Sequence, residues 1–212
     1  HDEMIFYDSP EQVAKQSYYF STLCAYSPKL HKPYKLYLDN KEIFMSGDLI
    51  LYFSRAGENY YEGDLKVVEK GNTEVVADYI KEITNGDVFK VEPEIPYPED
   101  YMECTEVTKN EKNGRVLKET LEDVGDYEGV YIGFPIWWGK MPIVFESQLD
   151  KLDFKGKVVK PFVTHEGSGF GKSKKQLKKL CKGADIRNGL EIKGSDVLGS
   201  KDKVKCWIND NL

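Results

Sequence analysis

The apolar run Leu49-Ile50-Leu51-Tyr52-Phe53, broken at once by Ser54-Arg55-Ala56-Gly57, constrains the fold of this chain more than any other stretch. Five successive apolar side chains cannot alternate between core and water, so the run predicts a strand buried on both faces. The turn after it is small and polar. Further on, Gly71-Asn72-Thr73 opens a helical pattern. A buried strand that leads through small residues to a helix N-terminus can hold a phosphate group. The first helical N–H groups lack partners within the helix, and the helix dipole favours an anion there.

From Asp48 onward, strand and helix patterns alternate. Val75, Val76, Tyr79, Ile80 and Ile83 place one apolar stripe on a helix over residues 73–84, with Asn72 or Thr73 as its cap and Asn85-Gly86 as its stop. Residues 87–91 read as a second strand, and the proline- and acid-rich residues 92–100 as a surface loop. A helix is expected over 111–123 with Val116, Leu117 and Leu121 inward, then a third buried strand over 130–134. A helix over 142–149 carries Pro142 in its first turn, where the missing N–H costs nothing. A fourth strand spans 158–163, and a lysine-rich helix follows over 173–181 with Leu177, Leu180 and Cys181 inward. Its lysines form a solvated outer face. A last strand over 190–192 and a closing helix marked by Val204, Trp207 and Ile208 complete the pattern. Five strands alternating with helices define an α/β fold, a doubly wound parallel sheet with helices on both faces. In such sheets ligands sit beyond the carboxyl ends of the strands, where the winding reverses. The loops after the first, third and fourth strands are therefore the candidates.

The 212 residues suffice for one domain with an appendage. Residues 47–212 hold the alternating pattern, and residues 1–46 form an N-terminal extension, a docked arm or a partly disordered leader. Within the extension, Ser9-Pro10-Glu11 resembles a helix start, and residues 37–44 suit a hairpin around Asp39-Asn40. A sharper reading makes the extension a partner-binding or dimerising arm. A formal net charge of −6 argues against nucleic-acid binding, which needs a basic footprint. Cys24, Cys104, Cys181 and Cys206 are far apart, so neither a zinc knuckle nor a dithiol redox motif is supported. No apolar stretch is long enough to cross a bilayer, and no signal-peptide pattern stands at the start as given. A cytoplasmic location is the expectation.

Each candidate loop has its own chemistry. The first offers Ser54, Asn72 and Thr73 with free N–H groups, and Arg55 adds a charge-assisted donor. Its halves are separated by residues 60–70, long enough to fold over a ligand. The second loop, Pro135-Ile136-Trp137-Trp138-Gly139, sets two adjacent tryptophans after a buried strand, so at least one is expected to be accessible and to meet a planar partner. Gly139 permits close backbone approach. The third loop, Thr164-His165-Glu166-Gly167-Ser168-Gly169-Phe170-Gly171, has three glycines in five residues. Gly171-Lys172-Ser173 resembles the end of a P-loop, but Glu166 stands where the required glycine would be. His165-Glu166 opens like a zinc-protease signature with no second histidine following, and three histidines in the chain make a metal site improbable. His165 is read as a positional hydrogen-bonder.

Taken together, the segments LILYFSRAGENYYEG, GNTEVVADYI, IGFPIWWGKMP and THEGSGFG resemble the flavodoxin-like flavoproteins, and the ending GLEIKGSDV with Trp207 looks like that family's tail. The resemblance implies strand order 2-1-3-4-5 and non-covalently bound FMN. It assigns the phosphate to Ser54, Arg55, Ala56, Asn72 and Thr73, with Asn59 and Tyr60 of the insertion also at the cofactor. Pro135, Ile136, Trp137, Trp138 and Gly139 would line the isoalloxazine ring. Thr164, His165, Glu166, Gly167, Ser168, Gly169, Phe170 and Gly171 would lie at its other edge. Three departures mark a different branch: Ala56 stands where a hydroxyl residue is usual, the insertion splits the phosphate loop, and the third loop lacks the tyrosine that often stacks on the ring. The implied function is FMN-based electron transfer with a redox protein or a small-molecule donor or acceptor, with no side chain needed as acid or base. The alternative is an NAD(P)H-dependent quinone or flavin reductase. A phosphoacceptor signalling domain would need clustered aspartates where Ser54-Arg55 and Pro135-Ile136 stand. An interaction module with a degenerate pocket is the remaining rival.

Overall fold

Asp48–Tyr52 forms a strand because its apolar residues divide between two cores, one on each face of a sheet. Leu49, Leu51 and Phe53 enter one core, and Ile50 and Tyr52 the other. The computed structural model describes residues 34–38, 41–45 and 47–211. The chain divides into two compact units, residues 1–47 and 48–212. In the first, β1 (Tyr34–Leu38) and β2 (Lys41–Met45) pair antiparallel, with Leu38 opposite Lys41, while the expected turn at Asp39-Asn40 lies outside the described residues. The hairpin is longer than the sequence pattern suggested. Ser9-Pro10 and Cys24 lie outside the described residues.

The second unit runs β3 (Asp48–Tyr52), β4 (Gly57–Tyr61), β5 (Asp64–Val68), α1 (Asn72–Thr84), β6 (Asp87–Lys90), α2 (Tyr101–Asn110) and β7 (Gly129–Pro135). It continues with α3 (Ile143–Leu149), β8 (Val158–His165), α4 (Ser173–Leu180), β9 (Asp185–Ile186) and β10 (Leu190–Lys193). A 3-10 turn over Gly194–Gly199 and α5 (Lys201–Asn209) close it. The strands order as β6-β3-β7-β8-β10, all parallel, which is the expected 2-1-3-4-5. The two-residue β9 also pairs with β8, at Val158 and Val159, so a sixth, short strand joins the expected five.

Helices α1 and α5 pack on one face through Val76, Ala77 and Ile80, and Val204, Trp207 and Ile208. On the other face lie Cys104 of α2, Val144, Phe145 and Leu149 of α3, and Leu177 and Leu180 of α4. Such burial on both sides supplies the main stabilising term, roughly 1.5–3 kcal/mol for each large apolar side chain. Gly133 of β7 makes room for this packing: a Cβ there would lie 2.0 Å from the Phe162 ring on the neighbouring strand.

Four expectations need correction. Residues 111–123 contain no helix; they form a loop that is extended around Leu117, which bridges Pro93 antiparallel, with Lys118 N–H donating to Glu92 O and Glu94 N–H to Val116 O, each at 2.9 Å. An extended chain alternates its faces, so Leu117 packs on the core while Val116 is 70% exposed. The Gln148 amide holds Leu121 from both sides, accepting from its N–H and donating to its C=O. The helix of this region is α2 instead, where Asp100 caps the Glu103 N–H at 2.8 Å. That is the Asp-x-x-Glu start signal, weak in periodicity because Cys104 is its one buried residue. Residues 92–100 are not all surface, since Tyr97 is buried beneath Arg115, whose guanidinium lies 4.0 Å from its ring centroid. Finally, Gly71 rather than Asn72 or Thr73 holds the cap position of α1, and Pro142 that of α3 rather than its first turn.

Candidate functional site

The loops that follow β3, β7 and β8 meet at the carboxyl edge of the sheet, because parallel strands in register end at one level. Between them lies a cavity of about 150 Å³, open to solvent. It is walled by Ser54, Arg55, Asn59 and Tyr60 of the split first loop, and by Asn72 and Thr73 at the start of α1. Pro135, Ile136 and Trp137 supply the second side, and Thr164, His165 and Glu166 the third. Tyr101, the first residue of α2, completes it.

The end of the cavity at the start of α1 is built by close packing. Ser54 Oγ accepts from the Glu74 N–H at 3.1 Å and so caps α1 from across the loop. Gly71 is required there, because a Cβ would sit 2.3 Å from both Ser54 Oγ and Arg55 O. The Glu74 N–H also bonds Gly71 O, which leaves the amides of Asn72 and Thr73 ahead of the first intrahelical bond. Thr73 Oγ1 and Thr164 Oγ1 are 2.7 Å apart and buried, tying the helix start to the end of β8. Asn72 Oδ1 accepts from the Tyr61 hydroxyl at 2.8 Å, and this bond draws the insertion over the helix start.

The insertion is a hairpin, β4 paired with β5, turning at Glu62-Gly63 where both residues have positive φ. Its tip is held by the Glu62–Lys193 ion pair, which lowers the carboxyl's pKa and raises the amine's. Glu166 lies beside the same amine, yet partial burial dominates and raises its carboxyl pKa.

Arg55 does not aim its guanidinium at the start of α1. Its Nε and Nη2 donate to Pro98 O at 3.0 and 2.8 Å, Nη2 also donates to Glu99 O at 2.6 Å, and Nη1 donates to Glu58 O at 2.7 Å. Ala56 lies outside the cavity wall.

In the second loop, Trp137 and Lys140 exchange both backbone hydrogen bonds at 3.0 Å, so Trp138 and Gly139 form a tight turn with φ of 54° and 71°. Trp137 turns inward, edge-on to Phe53 and Tyr97 with ring centroids 5.3 and 5.0 Å away. Trp138 turns out. It is 51% exposed, donates to Thr108 Oγ1 at 3.2 Å and lies beneath Lys109, away from the cavity.

The third loop divides at Glu166. His165 Nδ1 accepts from the Gly167 N–H at 2.9 Å, which puts the proton of the neutral ring on Nε2. Burial, followed by Lys203 and Lys193, lowers its pKa despite Glu191. Gly167, Ser168, Gly169, Phe170 and Gly171 stand off the cavity. The close approaches their glycines permit are to the chain itself. A Cβ on Gly171 would meet Gly139 O at 2.4 Å, and one on Gly169 would meet the Glu191 carboxylate at 3.0 Å. Phe170 is 3% exposed in the core, and Gly139 O already accepts from the Lys172 N–H at 2.8 Å.

Tyr101 is the wall residue that the sequence pattern missed. The cap signal at Asp100 could locate its helix, but nothing local brings that helix to the cavity. Among the described residues no cluster of histidine, cysteine or acidic side chains could hold a metal ion, and no helix is long and apolar enough to cross a membrane.

A doubly wound sheet with a cavity at its switch point, where the start of α1 and an inward tryptophan meet, defines a parallel α/β protein of the kind that takes its ligand at the carboxyl edge of the sheet. The family model described as Flavodoxin matches residues 66–211, and the chain belongs to that family. Among solved structures it is similar to a proposed flavoprotein of Bacteroides uniformis, at 26% identity and TM-score 0.60, over 77% of this chain and 98% of that one. A proposed flavoprotein of Bacteroides eggerthii is similar at 25% identity and TM-score 0.60, over 78% and 98%. A flavoprotein of Lactobacillus acidophilus in complex with FMN shares the fold at 19% identity and TM-score 0.50, over 76% and 99%. No curated protein sequence matches the chain.

Proposed function

We propose that this protein binds FMN non-covalently in the cavity at the sheet's carboxyl edge and transfers electrons between a redox protein or small-molecule donor and an acceptor. The observation that carries this reading is the union of two features in one cavity: the start of a 13-residue helix, whose Asn72 and Thr73 amides precede the first intrahelical bond, and an inward-facing indole. When bound, FMN supplies one- and two-electron redox chemistry, and the protein tunes it.

The chain's own residues fit such a group. The Asn72 and Thr73 amides, with the helix dipole behind them, suit a phosphate without a cation, so Arg55 can spend its donors elsewhere. Trp137 excludes water from one wall. His165, neutral at pH 7 with its proton on Nε2, offers the ring system a donor without bringing charge. The formal net charge of −6 opposes further negative charge at the site, which favours a low potential.

A visible spectrum of the purified protein tests this. Absorbance near the flavin wavelengths, native or gained on adding FMN, is the expected result. A colourless protein that leaves the spectrum of added FMN unchanged would falsify the assignment.

A further inference from the structure

Tyr60 of the inserted hairpin and Tyr101 of α2 both line the cavity. Their rings stack with centroids 6.1 Å apart and an interplanar angle of 28°, and both face the cavity that Trp137 lines. They are forty-one positions apart, on elements that have no reason to meet unless something joins them.

Arg55 joins them. Its guanidinium gathers the carbonyls of Pro98 and Glu99, just before α2, together with that of Glu58 in β4. Glu58 repeats the link twice: its N–H donates to Glu99 O at 2.9 Å, and its carboxylate accepts from the Tyr101 N–H at 3.1 Å. Gly57 permits the approach, since a Cβ there would lie 2.9 Å from Glu99 O. A cation in an anion-binding loop whose donors all go to carbonyls is fixing geometry. The third loop, by contrast, offers the cavity no phenyl, phenol or indole ring, because Phe170 is buried in the core.

We propose that Tyr60 and Tyr101 are the aromatic wall on which the planar ring of the bound flavin rests, and that Arg55 is a positioning residue for this wall and not a ligand of the phosphate. The assignment rests on the FMN reading of the cavity. Stacking on a π-face is tolerant of ring type, so the wall selects for a flat aromatic ligand and leaves the phosphate to α1.

The full-length protein is titrated with FMN and with riboflavin, which has the same ring and no phosphate, and flavin fluorescence is followed. Tyr101→Leu should weaken both by about tenfold, leave the ratio of the two affinities unchanged and raise the fluorescence of bound FMN. Tyr101→Phe should stay within about twofold of wild type, because stacking does not use the hydroxyl. Arg55→Met should weaken both flavins in equal proportion. Affinities within about twofold of wild type for both Tyr101→Leu and Tyr60→Leu overturn the wall, given how much a stacked aromatic contributes. A loss confined to FMN in Arg55→Met overturns the positioning role and returns Arg55 to the phosphate. If Tyr101→Leu does not fold, Tyr60→Leu on the exposed hairpin decides the question. A wild-type protein that binds neither flavin removes the FMN reading itself, an outcome distinct from binding that the tyrosine variants leave intact.

Discussion

Thr73 and Thr164 show how a single contact ties chemistry to stability. Their hydroxyls are 2.7 Å apart and buried, so each satisfies the other. Replacing one leaves the other without a partner, which costs about 1–3 kcal/mol, whereas replacing both with valine removes the polar pair together. Urea denaturation should therefore show Thr73→Val less stable than wild type by that amount, with the double variant recovering part of the loss. His165 carries a second expectation at this scale. Its folded pKa lies below the ordinary 6.5, because burial disfavours the imidazolium. A base with a depressed pKa contributes stability that is present above about pH 6.5 and lost as pH falls through the folded value. An NMR titration of the imidazole should give a midpoint below 6.5, and a midpoint above it would contradict the assigned burial. The two tryptophans illustrate what residue type alone leaves open. Adjacency implied that one would be accessible, and Trp138 is, but the positive φ of its turn sends that ring to Thr108 while Trp137 faces the cavity.

At the scale of elements, the start of α1 depends on a residue from another loop. Ser54 caps it, and Gly71 lets the two chains touch. Ser54→Ala should cost about 1 kcal/mol, the usual effect of a lost N-cap. Gly71→Ala should cost more, because the new methyl would lie 2.3 Å from the Arg55 backbone oxygen, which no side-chain rotation can move, and 2.3 Å from the capping Ser54 hydroxyl. Both losses can be read from denaturation midpoints, and a Gly71→Ala protein as stable as Ser54→Ala would show that the loop yields. Helix α1 was legible because its apolar residues recur with helical period. Helix α2 was not, since a single buried cysteine leaves no stripe to read. The stretch after α2 misleads for the opposite reason: Val116, Leu117 and Leu121 look helical in spacing, yet extended pairing with Glu92 and Glu94 decides their conformation. Residues 60–70 announced an insertion by length, but only pairing made it a hairpin.

Across the second unit as a whole, two cores clamp one sheet, and the candidate site is the seam they leave at its edge. Stability and binding are thus linked. With FMN at about a hundred times its dissociation constant, linkage adds about 2.7 kcal/mol, and the thermal midpoint should rise by roughly 5–10 °C for a chain of this size. Scanning calorimetry with and without FMN checks this, and an unchanged midpoint would count against binding. What the sequence determined by itself is the sheet and its switch point: runs such as Leu49–Phe53 can be satisfied only between two layers, and parallel strands must place their loops at one end. Ser54, Asn72, Thr73 and Trp137 followed from that placement, because each sits within a few residues of a strand or helix end. Only the tertiary structure decided that Arg55 turns to the carbonyls before α2, that Tyr101 joins Tyr60, and that the glycines of the third loop pack against their own chain. The physical reason is range. Periodicity and capping act over a turn or a strand and leave a local trace. A guanidinium shared by segments more than forty residues apart obeys the same chemistry but is specified by no neighbouring residue.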